Sequence, residues 1–387
     1  MSSQYLASLT LFAATREQTV ESRRRTFPQW GRGLTLEQYL TREATMDQAE
    51  QAVNGKLITW VLVPRNDPST LDFKCSCETY RRKGLIKRPD STSSEEVFGY
   101  GIASVFTPPQ HRKKGHAGRM MRLLHWVLAP KDVLPPFPEG WGTPPSGHVC
   151  CGNAKFSVLY SDIGPGFYKS AGPDEKSEGW IVRDPVSTIW DVPKDAPNEI
   201  PAQPAASVKW LTVDACEAIW DQDVALMKAD LASTDTPRTV FTFLPDAGVS
   251  AYLVRRTIFF ISGHSLYELP TKWGITLQSI QKDEHSVTTS ATWTLDVRPP
   301  PPTLIVTRLR TTKESFPQLV FCMLSAARES QMERVEVWNL PMELQEIASS
   351  LGGKTLVRDE HLNAFKWYGP EKSEDLEWAF NEKFAWC

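Results

Sequence analysis

The sequence predicts a mixed α/β protein with two domains, and three observations lead to this expectation. The chain has 387 residues, whereas single hydrophobic cores stop growing near ~250–300 residues. Strand and helix patterns follow one another irregularly in the first half, so a regular parallel βαβ series is not expected. A strand–helix–strand–helix–strand order near the end of the first half recurs in the second, which predicts a diverged copy. The expected domains are residues 1–200 and 201–387.

The first half opens with an apolar run over Tyr5–Ala14 that is typical of a strand. Thr15 is a suitable N-cap for a helix over Arg16–Arg25, and a second helix is expected over Leu36–Ala52. Gly115–Leu128 carries its apolar residues on one helix face, and short β-branched and aromatic runs predict strands. The other elements expected here are strands over Lys56–Val63, Leu71–Tyr80, Val97–Thr107, Lys155–Tyr160 and Gly179–Arg183, and a short helix over Gly164–Ser170.

The second half follows a stretch with four prolines, Pro193–Pro204, which predicts a linker. Four consecutive prolines, Pro299–Pro302, separate two later strand patterns. The strands expected in this half cover Ser207–Val213, Thr292–Val297, Leu304–Arg310, Glu333–Trp338, Lys354–Val357 and Phe365–Tyr368, and the helices cover Glu314–Glu329 and Met342–Ser350.

The composition excludes several classes of protein. A net charge of −3 argues against a dedicated nucleic-acid binder, whose domains are usually strongly basic. No apolar stretch is long enough to span a membrane and the first residues do not form a signal peptide, so we expect a cytoplasmic protein with no membrane partner. Seven cysteines without a second ligand pair at metal spacing predict free thiols and no metal site.

The most informative segment runs from the strand over Val97–Thr107 into the helix that starts at Gly115. Its loop supplies positive side chains, small residues that allow a close backbone approach, and the free N–H groups of a helix N-terminus. These features predict a cradle for a pyrophosphate group, although the segment is neither a Walker A motif nor GxGxxG. The residues expected to bind the cofactor are Val105, Phe106, Thr107, Arg112, Lys113, Lys114, Gly115, His116, Ala117 and Gly118.

The spacing Arg112-x-x-Gly115-x-Ala117 after a strand resembles the acyl-CoA signature of the GNAT superfamily of N-acetyltransferases. Roughly 40 residues later, a strand pattern leads into a short helix that carries Phe167-Tyr168, as in the second half of a GNAT site. The resemblance implies a GNAT fold, which is a mixed, mostly antiparallel and splayed sheet with flanking helices. It also implies acetyl-CoA as the cosubstrate, and the second domain is then expected to be a degenerate GNAT-like copy.

A narrower resemblance, to fungal lysine N6-acetyltransferases, extends along most of the chain. It implies acetylation of free L-lysine as a catabolic step. One departure is Ala171-Gly172-Pro173, where related chains often have a glycine–aromatic pair. The segments that carry the resemblance are Trp30-Gly31, Arg42-Glu43, Trp60-Val61-Leu62, Cys77–Tyr80, Tyr100–Phe106, Tyr160–Gly164, Val335–Asn339 and Lys366–Gly369.

The resemblance also places Tyr168 where many GNAT enzymes hold a phenol near the CoA sulfur, so Tyr168 is expected to protonate the departing thiolate. The attacking amine must lose a proton, and a carboxylate is expected to relay it. The candidates for this role are Glu78, Glu96 and Asp162, and Asp162 is an alternative holder of a lysine ammonium. Glu336 either faces a shared cleft or is solvated.

The sequence therefore predicts transfer of acetyl from acetyl-CoA to a primary amine, with the ε-amine of free L-lysine as the leading acceptor. The alternatives are acetylation of lysine in a polypeptide or of a polyamine, and a non-catalytic acyl-CoA sensor. In the second half, Thr311-Thr312-Lys313 precedes a helix without the glycine spacing. We expect that half to bind no CoA and to cover the acceptor side of the cleft. The sequence leaves the oligomeric state open.

Overall fold

A computed structural model describes residues 3–193, 206–263, 268–279 and 289–387 of the chain. The expected domain boundary at residue 200 and the expected linker, apart from Pro193, lie outside these residues. The helices are α1 (Ser3–Ala7), α2 (Arg16–Trp30), α3 (Leu36–Met46), α4 (His116–Leu128), α5 (Gly166–Lys169), α6 (Val213–Ser233), α7 (Val249–Ser262), α8 (Phe316–Glu329) and α9 (Met342–Ser350). The strands are β1 (Leu9–Ala13), β2 (Leu57–Pro64), β3 (Cys75–Lys87), β4 (Glu95–Phe106), β5 (Ala154–Ser161), β6 (Ile181–Val182), β7 (Val186–Asp191), β8 (Ala206–Leu211), β9 (Thr239–Phe243), β10 (Gly274–Ser279), β11 (Thr289–Asp296), β12 (Thr303–Arg310), β13 (Arg334–Trp338), β14 (Lys354–Val357), β15 (Leu362–Trp367) and β16 (Leu376–Trp378).

The first sheet has the strand order β1-β2-β3-β4-β5-β15-β6, with β9 beside β3 and β16 beside β9. Its pairs are antiparallel except β4 with β5 and β9 with β16. Helix α4 joins the parallel strands β4 and β5, and its apolar face is part of the core beneath this sheet. The predicted face of this helix is confirmed, because each of its members is at most 1% exposed: Met120, Met121, Leu124, Val127 and Leu128.

The second sheet has the order β8-β10-β11-β12-β13-β7-β14, and its one parallel pair among the described strands is β12 with β13. Helix α8 joins these two strands, as α4 joins β4 and β5 in the first sheet. Each sheet thus has antiparallel strands on both sides of a central parallel pair. This matches the predicted second copy.

Each sheet contains strands from the other half of the chain: the first sheet holds β9, β15 and β16 from the second half, and the second sheet holds β7 from the first. In the first sheet β15, from the second half of the chain, lies between β5 and β6. In the second sheet β7, from the first half, lies between β13 and β14. We call this arrangement the strand exchange. It interlocks the two halves, whereas the sequence predicts the strand around Phe365–Tyr368 in the second domain.

Some elements differ from the sequence-based expectation. Tyr5 lies in α1, and the strand expected from it begins only at Leu9. Strand β3 continues to Lys87, beyond the end of the strand expected over Leu71–Tyr80. It does so because buried basic groups find carbonyl partners there: Arg82 donates to the carbonyl of Ala385, and Lys87 donates to that of Thr234. None of the helices in the described ranges combines the length and apolar character needed to cross a bilayer.

Candidate functional site

A cleft of about 520 Å³ opens where two parallel strands of the first sheet diverge. The pairing of β4 with β5 ends at Ile102 and Leu159, and the following residues of both strands line the cleft. In the β3–β4 pairing, two β4 residues, Ser104 and Val105, lie opposite the single residue Cys77, which forms a β-bulge. Ser104 has a φ of +55°, a strained value for a residue with a side chain. The bulge thus changes the backbone direction at the cleft wall.

The predicted cofactor loop begins at the same end of β4. Lys113 and Gly115 have φ values of +58° and +80°, and Gly115 caps α4. Among the described residues, no acceptor pairs with the backbone N–H groups of residues 113–118, whereas the N–H of Arg119 bonds to the carbonyl of Gly115. Consecutive unpaired N–H groups at a helix N-terminus are suited to bind an anion.

The side chains of this loop have different surroundings. Arg112 lines the cleft and donates through Nε to the carbonyl of Thr107 over 3.1 Å. Lys114 donates through Nζ to the carbonyl of Gln110. The His116 imidazole is buried and bonds through Nδ1 to the carbonyl of His111, so only its backbone N–H is available to a ligand. Val105, Phe106 and Thr107 all line the cleft.

Glu78 lies in the wall of the cleft on β3 and is 7% exposed. Its Oε2 accepts a hydrogen bond from the Ser104 hydroxyl over 2.8 Å, and its Oε1 lies 3.6 Å from the Arg23 guanidinium. Burial raises the pKa of Glu78, and the nearby Arg23 charge offsets only part of that rise. Arg23 makes its closer ion pair with Asp47, at 2.7 Å. Glu78 is therefore a buried carboxyl whose pKa lies above its usual value.

Tyr168 on α5 lines the same cleft and is 9% exposed. No described residue makes a hydrogen bond with its hydroxyl, whereas its backbone carbonyl accepts from the N–H groups of Ala171 and Trp180. Burial raises the pKa of the phenol above its usual value. The hydroxyl therefore keeps its proton at neutral pH and can donate it within the cleft.

Asp162, just beyond β5, is also in the cleft wall but is already bonded. Its Oδ1 lies 2.9 Å from both the backbone nitrogen and Nδ1 of His361. Burial alone would raise the pKa of Asp162, but the hydrogen bonds from His361 outweigh it and lower the pKa. The other two carboxylates considered are not in the cleft. Glu96 pairs with Lys228, and Glu336 accepts from the Ser187 hydroxyl.

The structure adds cleft residues that sequence reasoning missed. Tyr252 and Arg256 come from α7, and His361 and Trp386 also come from the second half. Helix α7 has an ordinary buried apolar face, so its residue pattern gives no signal of a site. Residues from α3 and the loop before it also line the cleft: Arg32, Tyr39, Arg42 and Glu43.

The corresponding turn in the second sheet, between β12 and α8, is closed by its own hydrogen bonds. The Ser315 hydroxyl lies 3.0 Å from the Thr311 hydroxyl and 3.1 Å from that of Thr312. The N–H of Phe316 bonds to the carbonyl of Thr312. No group of three or more His, Cys, Asp or Glu side chains is placed to hold a metal ion in the part of the chain that the structure describes.

This chain is similar in sequence to one protein family and to one lysine acetyltransferase. A family model described as the LYC1 GNAT-like C-terminal domain matches residues 192–387. A lysine acetyltransferase from Yarrowia lipolytica is 27% identical over 106 residues, which are 27% of this chain and 26% of that protein. The chain thus matches only about a quarter of the length of that relative.

Two solved structures share the fold over most of this chain. A conserved protein of unknown function from Enterococcus faecalis superposes with a TM-score of 0.55 at 8% identity, covering 93% of this chain and 72% of that one. A GCN5-related N-acetyltransferase from Anabaena variabilis superposes with a TM-score of 0.51 at 12% identity, covering 93% and 73%. The predicted fold class, a GNAT fold with a second α/β sheet, is confirmed.

Proposed function

The chain belongs to the LYC1 GNAT-like family, and we propose that it transfers an acetyl group from acetyl-CoA to the ε-amine of free L-lysine. One observation carries the proposal. The N–H groups of residues 113–118, which have no partner among the described residues, follow the strand, β4, whose end lines the cleft with Glu78 and Tyr168. An anion-binding loop next to a buried carboxyl and a protonated phenol suits acyl transfer from a phosphate-bearing carrier.

The residues present fit the cofactor. The N–H groups of residues 113–118 would hold its pyrophosphate, with added positive charge from Arg112, Lys113 and Lys114. Val105–Thr107, at the end of β4, would line the path of its thiol arm. When bound, acetyl-CoA supplies an activated acetyl thioester.

Two side chains then move protons. Glu78, as a carboxylate, accepts through Oε1 or a bridging water the proton that the acceptor amine loses as it attacks. Tyr168 gives its hydroxyl proton to the sulfur that leaves as a thiolate. Both groups are held before the reaction, Glu78 by Ser104 and Tyr168 by the packing of α5, so little reorganisation is required.

Support for a small acceptor comes from the second half of the chain. Its residues Tyr252, Arg256, His361 and Trp386 line the cleft, which favours a compact substrate over a protein surface. The similarity to a lysine acetyltransferase supports lysine as that substrate. In this role Asp162, together with His361, would bind an ammonium group of the acceptor. Seven free thiols suit a reducing compartment such as the cytoplasm.

The test is an acetyl-CoA assay with free lysine, ornithine, a polyamine and a histone-tail peptide, in which CoA release is measured. We expect kcat/KM to be highest for lysine. A preference for the peptide or the polyamine would replace the proposed acceptor with that one. CoA binding without turnover of any amine would instead support a non-catalytic acyl-CoA sensor.

A further inference from the structure

Three arginines lie together on the acceptor side of the cleft. Arg32, Arg42 and Arg256 line both the large cleft and an adjoining cavity of about 50 Å³. Two of them have carboxylate partners, since Arg42 pairs with Glu43 at 2.6 Å and Arg32 pairs with Asp296 at 3.1 Å. Within the described residues, Arg256 has no carboxylate within ion-pair distance and donates no hydrogen bond. Arg256 is therefore the one of these three arginines whose N–H donors have no partner among the described residues.

The Arg256 guanidinium contacts an aromatic ring but, among the described residues, forms no ion pair with a carboxylate. Its guanidinium carbon lies 5.1 Å from the centroid of the Trp386 ring, a cation–π contact that leaves the N–H donors unused. A second positive group is close by, because buried Lys383 lines the adjoining cavity and its Nζ lies 4.5 Å from the centroid of the same ring. Arg256 is partly exposed in the cleft, and the charges of Glu43 and Asp296, although beyond ion-pair distance, help to keep it ionised. A ligand that brings a carboxylate would supply the hydrogen-bonding partner that its N–H donors lack.

We propose that Arg256 binds the carboxylate of the acceptor and thereby selects a free amino acid. The inference rests on the proposed function, because it concerns the acceptor of the same reaction. A guanidinium can bind a carboxylate through two parallel N–H···O bonds. A lysine within a polypeptide has no free carboxylate at its α-carbon, and a polyamine has none at all. Both would leave Arg256 without its partner.

The other cations of the cleft are less suited to this role. Arg112 belongs to the cofactor loop, and His361 is bonded to Asp162. Arg32 already has a carboxylate partner, since its Nη1 donates to Asp296 as well as to the carbonyl of Arg298. Arg256 comes from α7, which assigns the second half of the chain a direct part in substrate recognition.

The experiment compares L-lysine with L-lysinamide, which has the same side chain and α-ammonium but a neutral amide in place of the carboxylate. Acetylation of each is measured with the wild-type protein and with Arg256→Gln, Arg256→Lys and Arg255→Gln. Arg255 is the matched control, because it is the neighbouring arginine and pairs with Glu217 on the surface. Thermal unfolding and CoA titration confirm that each variant is folded and binds the cofactor.

We expect the wild type to prefer lysine over lysinamide by roughly 10²-fold in kcat/KM, as for a buried charge pair. Arg256→Gln should abolish the preference, because it should raise KM for lysine roughly 10²-fold more than KM for lysinamide. Arg256→Lys should keep part of the preference, and Arg255→Gln all of it.

Two results overturn the inference while the proposed acetyl transfer stands. One is a wild type that does not discriminate between the two substrates. The other is Arg256→Gln with the preference intact, which includes equal losses for both substrates. A folded, CoA-binding wild type that acetylates neither substrate overturns the proposed function itself, and this inference with it.

Discussion

The imidazole Nδ1 of His125 lies 2.8 Å from the hydroxyl oxygen of Tyr368, although the two residues are 243 positions apart. The other ring nitrogen lies 2.8 Å from the carbonyl oxygen of Ala171. Nε2 therefore carries the hydrogen, and Nδ1 accepts one from Tyr368. Trp180 donates to the Ser157 hydroxyl, which in turn lies 3.2 Å from that of Tyr368. This buried network connects α4, whose N-terminus forms the cofactor loop, to the residue that follows the exchanged strand β15.

Protonation of His125 would break this network. Burial lowers the pKa of His125 from 6.5 to about 3. A folded-state pKa below the unfolded one contributes stability that is present above pH 6.5 and is lost as the pH falls toward 3. We expect the free energy of unfolding, from urea titrations at pH 5–7.5, to fall below pH 6.5 by up to ~1.4 kcal/mol per pH unit. His125→Gln should be less stable and should have a flatter slope. Equal slopes in the two proteins would contradict the assignment.

The cofactor loop predicts the effect of a charge at Gly118. A Cβ built there meets no atom within 4 Å, so a side chain fits without a clash. Gly118→Asp should weaken CoA binding by roughly 10²-fold or more, because a carboxylate would face the phosphates. Gly118→Asn has nearly the same size without the charge and should lose much less. Calorimetric titration with CoA measures both, and equal losses would show that size rather than charge matters.

Tyr168→Phe removes a hydroxyl and keeps the packing of the ring. We expect kcat to fall roughly 10²-fold, within the usual range for general acid catalysis, with CoA affinity unchanged. The matched control is Tyr100→Phe, whose buried hydroxyl bonds to Asn153 away from the cleft. That variant should lower the unfolding temperature and leave kcat near that of the wild type. A Tyr168→Phe enzyme with wild-type kcat would mean that another group protonates the thiolate.

The raised pKa of Glu78 predicts how activity depends on pH on the acidic side of the pH–rate profile. Because burial raises its pKa, activity should decline as the pH falls through that raised value. Glu78→Gln should lower kcat/KM roughly 10²-fold and lose this limb. Ser104→Ala removes the hydrogen bond that favours the ionised form, so the limb should move to higher pH. An unchanged profile in both variants would exclude Glu78 as the proton acceptor.

The strand exchange predicts that the first half does not fold alone. A fragment ending at Pro193 lacks β15 between β5 and β6, and also β9 beside β3. We expect this fragment to show no cooperative unfolding transition in circular dichroism. Co-expression with a fragment of residues 206–387 should restore the transition and CoA binding. A cooperative transition in the isolated fragment would show that β15 is dispensable.

The sequence predicts those features that depend on residues close to one another along the chain. The cofactor loop is local, because a strand end, basic residues and small residues at fixed spacing suffice to define it. Tyr168 and Glu78 were predicted as candidates, and the structure brings both into one cleft. Arg256 could not be found in this way, because its role depends on which carboxylates Arg32 and Arg42 already hold. The strand exchange was hidden for the same reason, since β7 and β15 have ordinary strand patterns whose partners lie far along the chain.

The exchange also has a consequence for synthesis on the ribosome. About 200 residues separate the end of β5, at Ser161, from the end of its partner β15, at Trp367. At the usual rate of ~5–20 residues per second, this edge of β5 stays unpaired for roughly 10–40 s until β15 has been synthesised. Its residues Phe156 and Val158 are fully buried in the finished sheet and are uncovered in the nascent chain. An open apolar edge attracts foreign strands, so chaperone protection during translation would raise the yield of this protein.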